Sequence, residues 1–146
     1  MLKEWISSKY LKNNKINELR IRFISKKPFS HLFLKDFFIK KKLLLVLQEL
    51  QEEEYIEKNS DLFQFKQTND LKSTEAEKLK EFYSFFSSKE FGEYIKNITG
   101  INIKLGEIDM SGFVYQKTDY LLPHDDQLEG REIAYVVNLS HNFSRK

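Results

Sequence analysis

The 146-residue sequence has no cysteine. That removes disulfides, thiolate metal ligands and a cysteine nucleophile together. It has 2 prolines and 5 glycines, too few for a disordered or linker-rich chain. The longest apolar run, "LLLVL" at 43–47, is far too short to span a bilayer. The opening "MLKEWISSKYLKNNK" has no long apolar core, so it does not read as a secretory signal, and a cytoplasmic protein is the expectation. No dense basic run, glycine-rich phosphate loop or RNA-binding aromatic signature is present, which argues against a nucleic-acid partner.

What is present is aromatic and unevenly charged. Thirteen Phe, 7 Tyr and a hydrophobic content of 40% suit a packed globule, and the length suits one domain, 1–146. Residues 1–42 carry 12 Lys/Arg against 3 Asp/Glu, a net of +9, whereas 43–146 carry 12 against 19, a net of −7. The basic third could meet an acidic surface, and RNA binding with a steep salt dependence is the form that contact would take.

Periodicity predicts an amphipathic helix over 2–19 through Trp5, Ile6, Tyr10, Leu11, Ile16 and Leu19. "PFSHLFLKDFF" (28–38) alternates as a strand, Phe29, His31 and Phe33 opposite Leu32 and Leu34. A helix follows over 39–53, with Leu43, Leu44, Leu47 and Leu50 on one stripe. A hairpin is predicted around Asn59-Ser60, putting Phe63 and Phe65 on one face. Thr74 and Glu77 fit a capping box before a helix that turns Leu79, Phe82, Phe85 and Phe86 inward. The next helix ends at Gly100. After Gly100 the period changes, and 101–118, 119–126 and 131–139 are predicted as strands of one sheet. Helices first and strands later make an α+β pattern, mainly helical over 1–100 and mainly strands over 101–146.

His124 and Asp126 stand two apart in "YLLPHDDQLEGREIAYVVNL" (120–139). On a strand, that spacing places both side chains on one face with Cα atoms roughly 6–7 Å apart. An imidazole nitrogen and a carboxylate so placed are two-thirds of the facial triad that holds Fe(II) and leaves positions open. Asp125 points to the opposite face. The H-x-D pair alone is equally compatible with a solvated turn.

The longer run is more specific. "TDYLLPHDDQLEGREIAYVVNLS" resembles the metal-binding segment of the Fe(II)/2-oxoglutarate-dependent oxygenases, in the prolyl-hydroxylase-like branch that includes ribosomal-protein prolyl hydroxylases and microbial relatives. "PFSHLFLKDFF", "SDLFQFKQTNDL", "FGEYIKNITGI" and "EIDMSGFVYQKTD" resemble the same group's leading segment in the same order, so the resemblance covers about 28–143. It implies a helical layer packed on a partial double-stranded β-helix, or jelly roll. It implies His124 and Asp126 as metal ligands, with Fe(II), 2-oxoglutarate and ascorbate as the associated small molecules. Tyr115 matches a tyrosine that hydrogen-bonds 2-oxoglutarate in the group, a role for which a phenol is suited, although an ordinary core aromatic is the competing reading. Asn138 occupies a slot near the cosubstrate. Arg131 fits the motif too, with a salt bridge to Glu129 or Asp125 as its plainer role.

The group's second histidine and its cosubstrate-binding arginine are not matched. His141, the only histidine after Asp126, sits just past the returning run and reads as a loop residue, and Arg145 and Lys146 are terminal. The chain is therefore expected to be the N-terminal portion of a longer or split hydroxylase of a prolyl or other protein side chain. The alternative is a shortened, non-catalytic binding module on the same scaffold. A second copy completing the sheet through an exposed edge is a third possibility. Little or no 2-oxoglutarate turnover is expected of the isolated chain, and robust turnover would mean that His141 or a partner chain completes the site.

Overall fold

A computed structural model describes residues 1–104, 106, 108–124 and 130–140. Five helices come first or alternate with a hairpin: α1 (Leu2–Trp5), α2 (Asn13–Ser25), α3 (Lys40–Glu52), α4 (Glu77–Phe86) and α5 (Lys89–Thr99). The strands are β1 (Tyr55–Ser60), β2 (Phe63–Thr68), β3 (Phe113–Val114) and β4 (Tyr120–Leu121). The class is α+β, with an antiparallel sheet beside a helical layer.

The helix predicted over 2–19 is broken. Ile6 is extended (φ −96°, ψ 134°) and forms an antiparallel bridge with Phe38. Ser7 N–H donates to Phe37 O and Ile39 N–H to Trp5 O, each at 2.8 Å. A tertiary pairing between segments 32 positions apart thus overrides local periodicity. A single 3₁₀ turn, Ser8–Tyr10, then leads to α2. The segment 28–38 keeps the alternation of a strand in its burial, Leu32 and Leu34 packed inward and Phe29 and Phe33 exposed. Only Phe38 in it has a bridge partner among the described residues.

The core lies in the helical layer. Phe85 and Leu19 are fully buried, and Trp5 packs on Phe82 (5.1 Å between ring centroids) while Phe85 packs on Phe91 (4.7 Å). Tilted and edge-on rings suit the aromatic quadrupole. The inward face of α4 is as predicted: Leu79, Phe82, Phe85 and Phe86. On α3 the buried residue is Val46, flanked by Leu43 and Leu50, while Leu44 is 37% exposed. Positions 43, 46 and 50 are one helical face, whereas 44 lies a residue's rotation away from 43.

Helix α5 starts and stops as read. Ser88 Oγ accepts from Phe91 N–H at 3.2 Å, and Gly100 closes the helix at φ 77°. Helix α4 does not use the capping box. Its N-cap is Ala76, and Thr74 Oγ1 instead accepts from Ala76 N–H and donates to Glu53. The cap comes from α3: Glu49 Oε2 accepts from Lys78 N–H (2.6 Å) and Leu79 N–H (3.0 Å).

The hairpin turn falls two residues later than predicted. Ser60 still pairs with Phe63, so Asp61-Leu62 is the tip, and Leu62 N–H donates to Ser60 Oγ. β2 is central: β1 lies on one edge, and β3 and β4 share the other. The region after Gly100 is mainly irregular where it is described. Among the described residues of the predicted strand 101–118 only Phe113–Val114 forms, among those of 119–126 only Tyr120–Leu121, and 131–139 has no strand; Asp125 and Asp126 lie outside the described residues. Those sequences have the apolar alternation of strands, but a ladder requires a partner, and β2 offers one edge already used. Tyr135 instead packs its ring on Phe86 and Phe91, holding 131–140 to the helical layer. The described strands form one four-stranded sheet rather than the two sheets of a jelly roll.

Candidate functional site

β2 positions the candidate residues through the chain that runs along its free edge. Lys66 pairs with Val114 and Gln67 with Phe113, while Phe63 pairs with Leu121 and Gln64 with Tyr120. Between those two blocks β2 has a single residue, Phe65, and the opposing chain has five, 115–119. The two ladders are therefore four residues out of register, and 115–119 leaves the sheet as an excursion. Hydrogen bonds clamp both ends: Thr68 N–H donates to Gly112 O (3.0 Å), Gly112 N–H to the Thr68 side-chain Oγ1 (2.9 Å), and Leu122 N–H to Leu62 O (2.9 Å). The excursion closes on itself, Gln116 N–H donating to Asp119 Oδ2 at 2.8 Å.

Gly112 sits closely against α3 at the lower clamp. A Cβ there would stand 2.7 Å from Leu50 Cδ1, so a larger residue would force the Leu50 side chain on α3 to move. Tyr120 adds a polar tie at the other end, its phenol donating to Ser60 O at 2.9 Å.

Tyr115 is the first residue of the excursion. Its ring lies 5.4 Å from Phe65, which also meets Phe63 (5.1 Å) and Phe113 (5.4 Å). Phe63 and Phe65 thus share a face as the sequence predicts, and they make an aromatic floor beneath the tyrosine. The Tyr115 phenol remains 47% exposed as a residue and carries no hydrogen bond among the described residues. Partial burial and, second, the Asp119 carboxylate raise its pKa, so it is a protonated donor at neutral pH.

His124 lies three residues beyond β4, exposed. Its Nδ1 is 3.0 Å from Leu122 O. A carbonyl can only accept, so Nδ1 is the protonated, donating nitrogen in this contact. Metal-ligating imidazoles are commonly held by a backbone partner in this way. Sequence spacing predicts the ligand but cannot predict this backbone lock.

Asp125, Asp126, Glu129 and His141 lie outside the described residues, as do Arg145 and Lys146. Among the described residues no three His, Asp or Glu side chains gather around a common point. Asn138 is exposed, its Oδ1 accepting from Ser140 N–H at 2.9 Å, and no hydrogen bond among the described residues joins it to Tyr115. Arg131 Nη2 pairs with Asp109 Oδ2 at 3.3 Å, tying the run after the motif to the segment before β3. That partner, 22 positions upstream, has no signature in the local sequence.

The arrangement is a sheet edge carrying a phenol donor and, past the ladder's other end, an imidazole anchored through Nδ1 to the Leu122 carbonyl. No helix among the described residues is long and apolar enough to cross a membrane.

No protein-family model matches the chain. Its similarity among curated proteins is to prolyl hydroxylases. It is 34% identical over 119 residues to Prolyl 3-hydroxylase OGFOD1 of Mus musculus, covering 81% of this chain and 22% of that protein. The protein of the same name in Xenopus laevis is 34% identical over 122 residues, 81% of this chain and 23% of the other. Prolyl 3-hydroxylase sudestada1 of Drosophila melanogaster is 32% identical over 96 residues, 66% and 18% respectively. The chain thus spans about a fifth of the length of the curated relatives it matches.

Proposed function

We propose that the chain contributes the leading part of an Fe(II)- and 2-oxoglutarate-dependent oxygenase that hydroxylates a prolyl side chain of a protein, built on the helical layer and one sheet of a jelly roll. The observation that carries this is the similarity to prolyl 3-hydroxylases over four-fifths of the chain. The contact of His124 Nδ1 with Leu122 O supports it, because metal-ligating imidazoles are commonly oriented by a backbone partner on their other ring nitrogen. In this reading His124 and Asp126 hold the iron. When bound, iron with 2-oxoglutarate supplies the oxidation that inserts oxygen into a substrate C–H bond. Tyr115, a protonated phenol above the Phe63–Phe65 floor, donates to a carboxylate of the keto acid, and Asn138 offers its amide N–H₂.

The test is calorimetric titration with Mn(II), a redox-stable probe of the same site. Asp126→Ala should weaken binding at least tenfold, His124→Ala likewise, and Asp125→Ala should leave most of it. If the backbone is extended over 124–126, its period of two aims only one of the adjacent carboxylates at the imidazole. Equal losses from Asp125→Ala and Asp126→Ala would show that the spacing argument chose wrongly, and Mn(II) binding indifferent to His124 would remove the metal reading altogether.

A further inference from the structure

On the helical side, away from the β2 edge, α1, the 3₁₀ turn, the loop before α3 and the starts of α2 and α3 enclose a groove of about 660 Å³. That volume is in the range of small-molecule sites. Ile6, Leu11, Phe38 and Ile39 give it an apolar floor, and the hydroxyls of Ser7 and Ser8 lie along one side. Three ammonium groups ring it: Lys3, Lys12 and Lys40. Among the described residues none of the three has a hydrogen bond or ion pair. The groove's one acidic group, Asp36, has Lys9 Nζ 4.0 Å away, so its charge is shared with a fourth lysine.

Three exposed lysines around a concave apolar floor make a positive field that an anion would neutralise. The backbone adds to the same field. Lys12 and Ile39 are the N-cap residues of α2 and α3, each helix has 13 residues, and neither has a side-chain cap or an acidic residue in its first turn. α3 opens with Lys40, Lys41 and Lys42, cations at the positive end of the helix dipole, where carboxylates are the favoured residues. Apart from Asp36, the charged side chains and the helix ends here are positive or donating, which suits compact oxygen anions.

We infer that the groove lined by Lys3, Lys12 and Lys40 binds a phosphate or diphosphate group carried on a small molecule with an apolar portion, the anion between the lysines and the apolar part on Ile6, Leu11 and Phe38. Ammonium groups bind phosphate as point charges, and hydroxyls and uncapped N–H groups donate to the remaining oxygens. This site uses none of the residues assigned to metal or keto acid, so its fate is separate from that of the hydroxylase reading.

The experiment is titration of the whole chain with inorganic pyrophosphate at low ionic strength, without added metal, followed by calorimetry. One pyrophosphate per chain is expected, with affinity falling as salt is added. Lys12→Ala/Lys40→Ala should weaken it at least tenfold, Lys12→Arg/Lys40→Arg should retain it, and Lys58→Ala, on β1, should not change it. Equal affinity in all three variants, or no saturable binding, would overturn the assignment. Vesicles of phosphatidylcholine with a phosphatidylinositol phosphate separate the sources. Competition between these vesicles and pyrophosphate assigns the anion to a lipid headgroup, and pyrophosphate binding without vesicle binding assigns it to a soluble phosphate compound.

Discussion

Glu49→Ala should be among the most damaging single changes outside the aromatic core, although Glu49 is a partly exposed glutamate on α3. Its Oε2 accepts from Lys78 N–H and Leu79 N–H, the second and third residues of α4, at 2.6 and 3.0 Å. Ala76, the N-cap, has no oxygen to offer. Loss of an N-cap acceptor costs about 1 kcal/mol, and a carboxylate at a helix N-terminus contributes about 0.3–1 kcal/mol more. Because both N–H groups are partly buried and would be left unpaired, roughly 2–3 kcal/mol in total is expected. Glu49→Gln keeps an acceptor and loses the charge, so it should cost about 1 kcal/mol. Glu77→Gln should stay within roughly 0.5 kcal/mol, as for ordinary surface changes, since Glu77 is 77% exposed and caps nothing in this arrangement. Urea unfolding followed by circular dichroism, with m held constant, gives the three values. If Glu77→Gln costs more than Glu49→Ala, the local capping box is the true cap and the cross-helix one is not.

Gly112→Ala should destabilise the chain by about 1–3 kcal/mol in the same assay, because the new Cβ meets Leu50 at 2.7 Å; Leu50→Ala in the same chain should return part of that loss. Glu81 sits between Lys78 (2.6 Å) and Lys42 (3.1 Å), and those ammonium groups, Lys78 first, hold its carboxyl below its ordinary value near 4.5. Its stabilisation is thus present above that value and lost as pH falls through the lower folded one, so the stability gap between wild type and Glu81→Gln should narrow in acid. A gap independent of pH between neutral and strongly acidic buffers would show that the pairs contribute nothing.

What the sequence made legible is local. Ser88 and Gly100 bracket α5 within its own residues, and the spacing of Leu79, Phe82, Phe85 and Phe86 needs only the helical period. Illegible features depend on a distant partner. Ile6 leaves its helix for Phe38, α4 is capped by Glu49, and Arg131 reaches back to Asp109. Strand alternation in 28–38 and 131–139 is equally real as a pattern, yet a pattern of side chains does not supply the neighbouring backbone that a ladder needs. For the candidate site, the H-x-D spacing and the tyrosine nine residues before it were readable. The Nδ1 contact with Leu122 and the Phe65 floor were not, because both follow from where the ladder on β2 ends.

The four-residue slip between the two ladders separates a structural role for 115–119 from a functional one. Deleting Tyr115–Thr118 would put Asp119 opposite Phe65, between the existing pairs Lys66–Val114 and Gln64–Tyr120. The result is one unbroken strand with every present pair retained, so the sheet requires none of these residues. Shortening a loop by this much changes closure entropy by only about 1 kcal/mol or less. The lost Tyr115–Phe65 contact is of similar size, about 0.5–1.5 kcal/mol. The deletion should therefore fold, with unfolding free energy lowered by about 1–2 kcal/mol. Mn(II) binding through His124 should survive, whereas the affinity for 2-oxoglutarate measured in the presence of Mn(II) should fall, since the phenol donor has gone. Unfolding of the deletion chain would mean that the excursion holds the sheet together. Unchanged 2-oxoglutarate affinity in a folded deletion chain would mean that Tyr115 is an ordinary aromatic on the Phe65 floor.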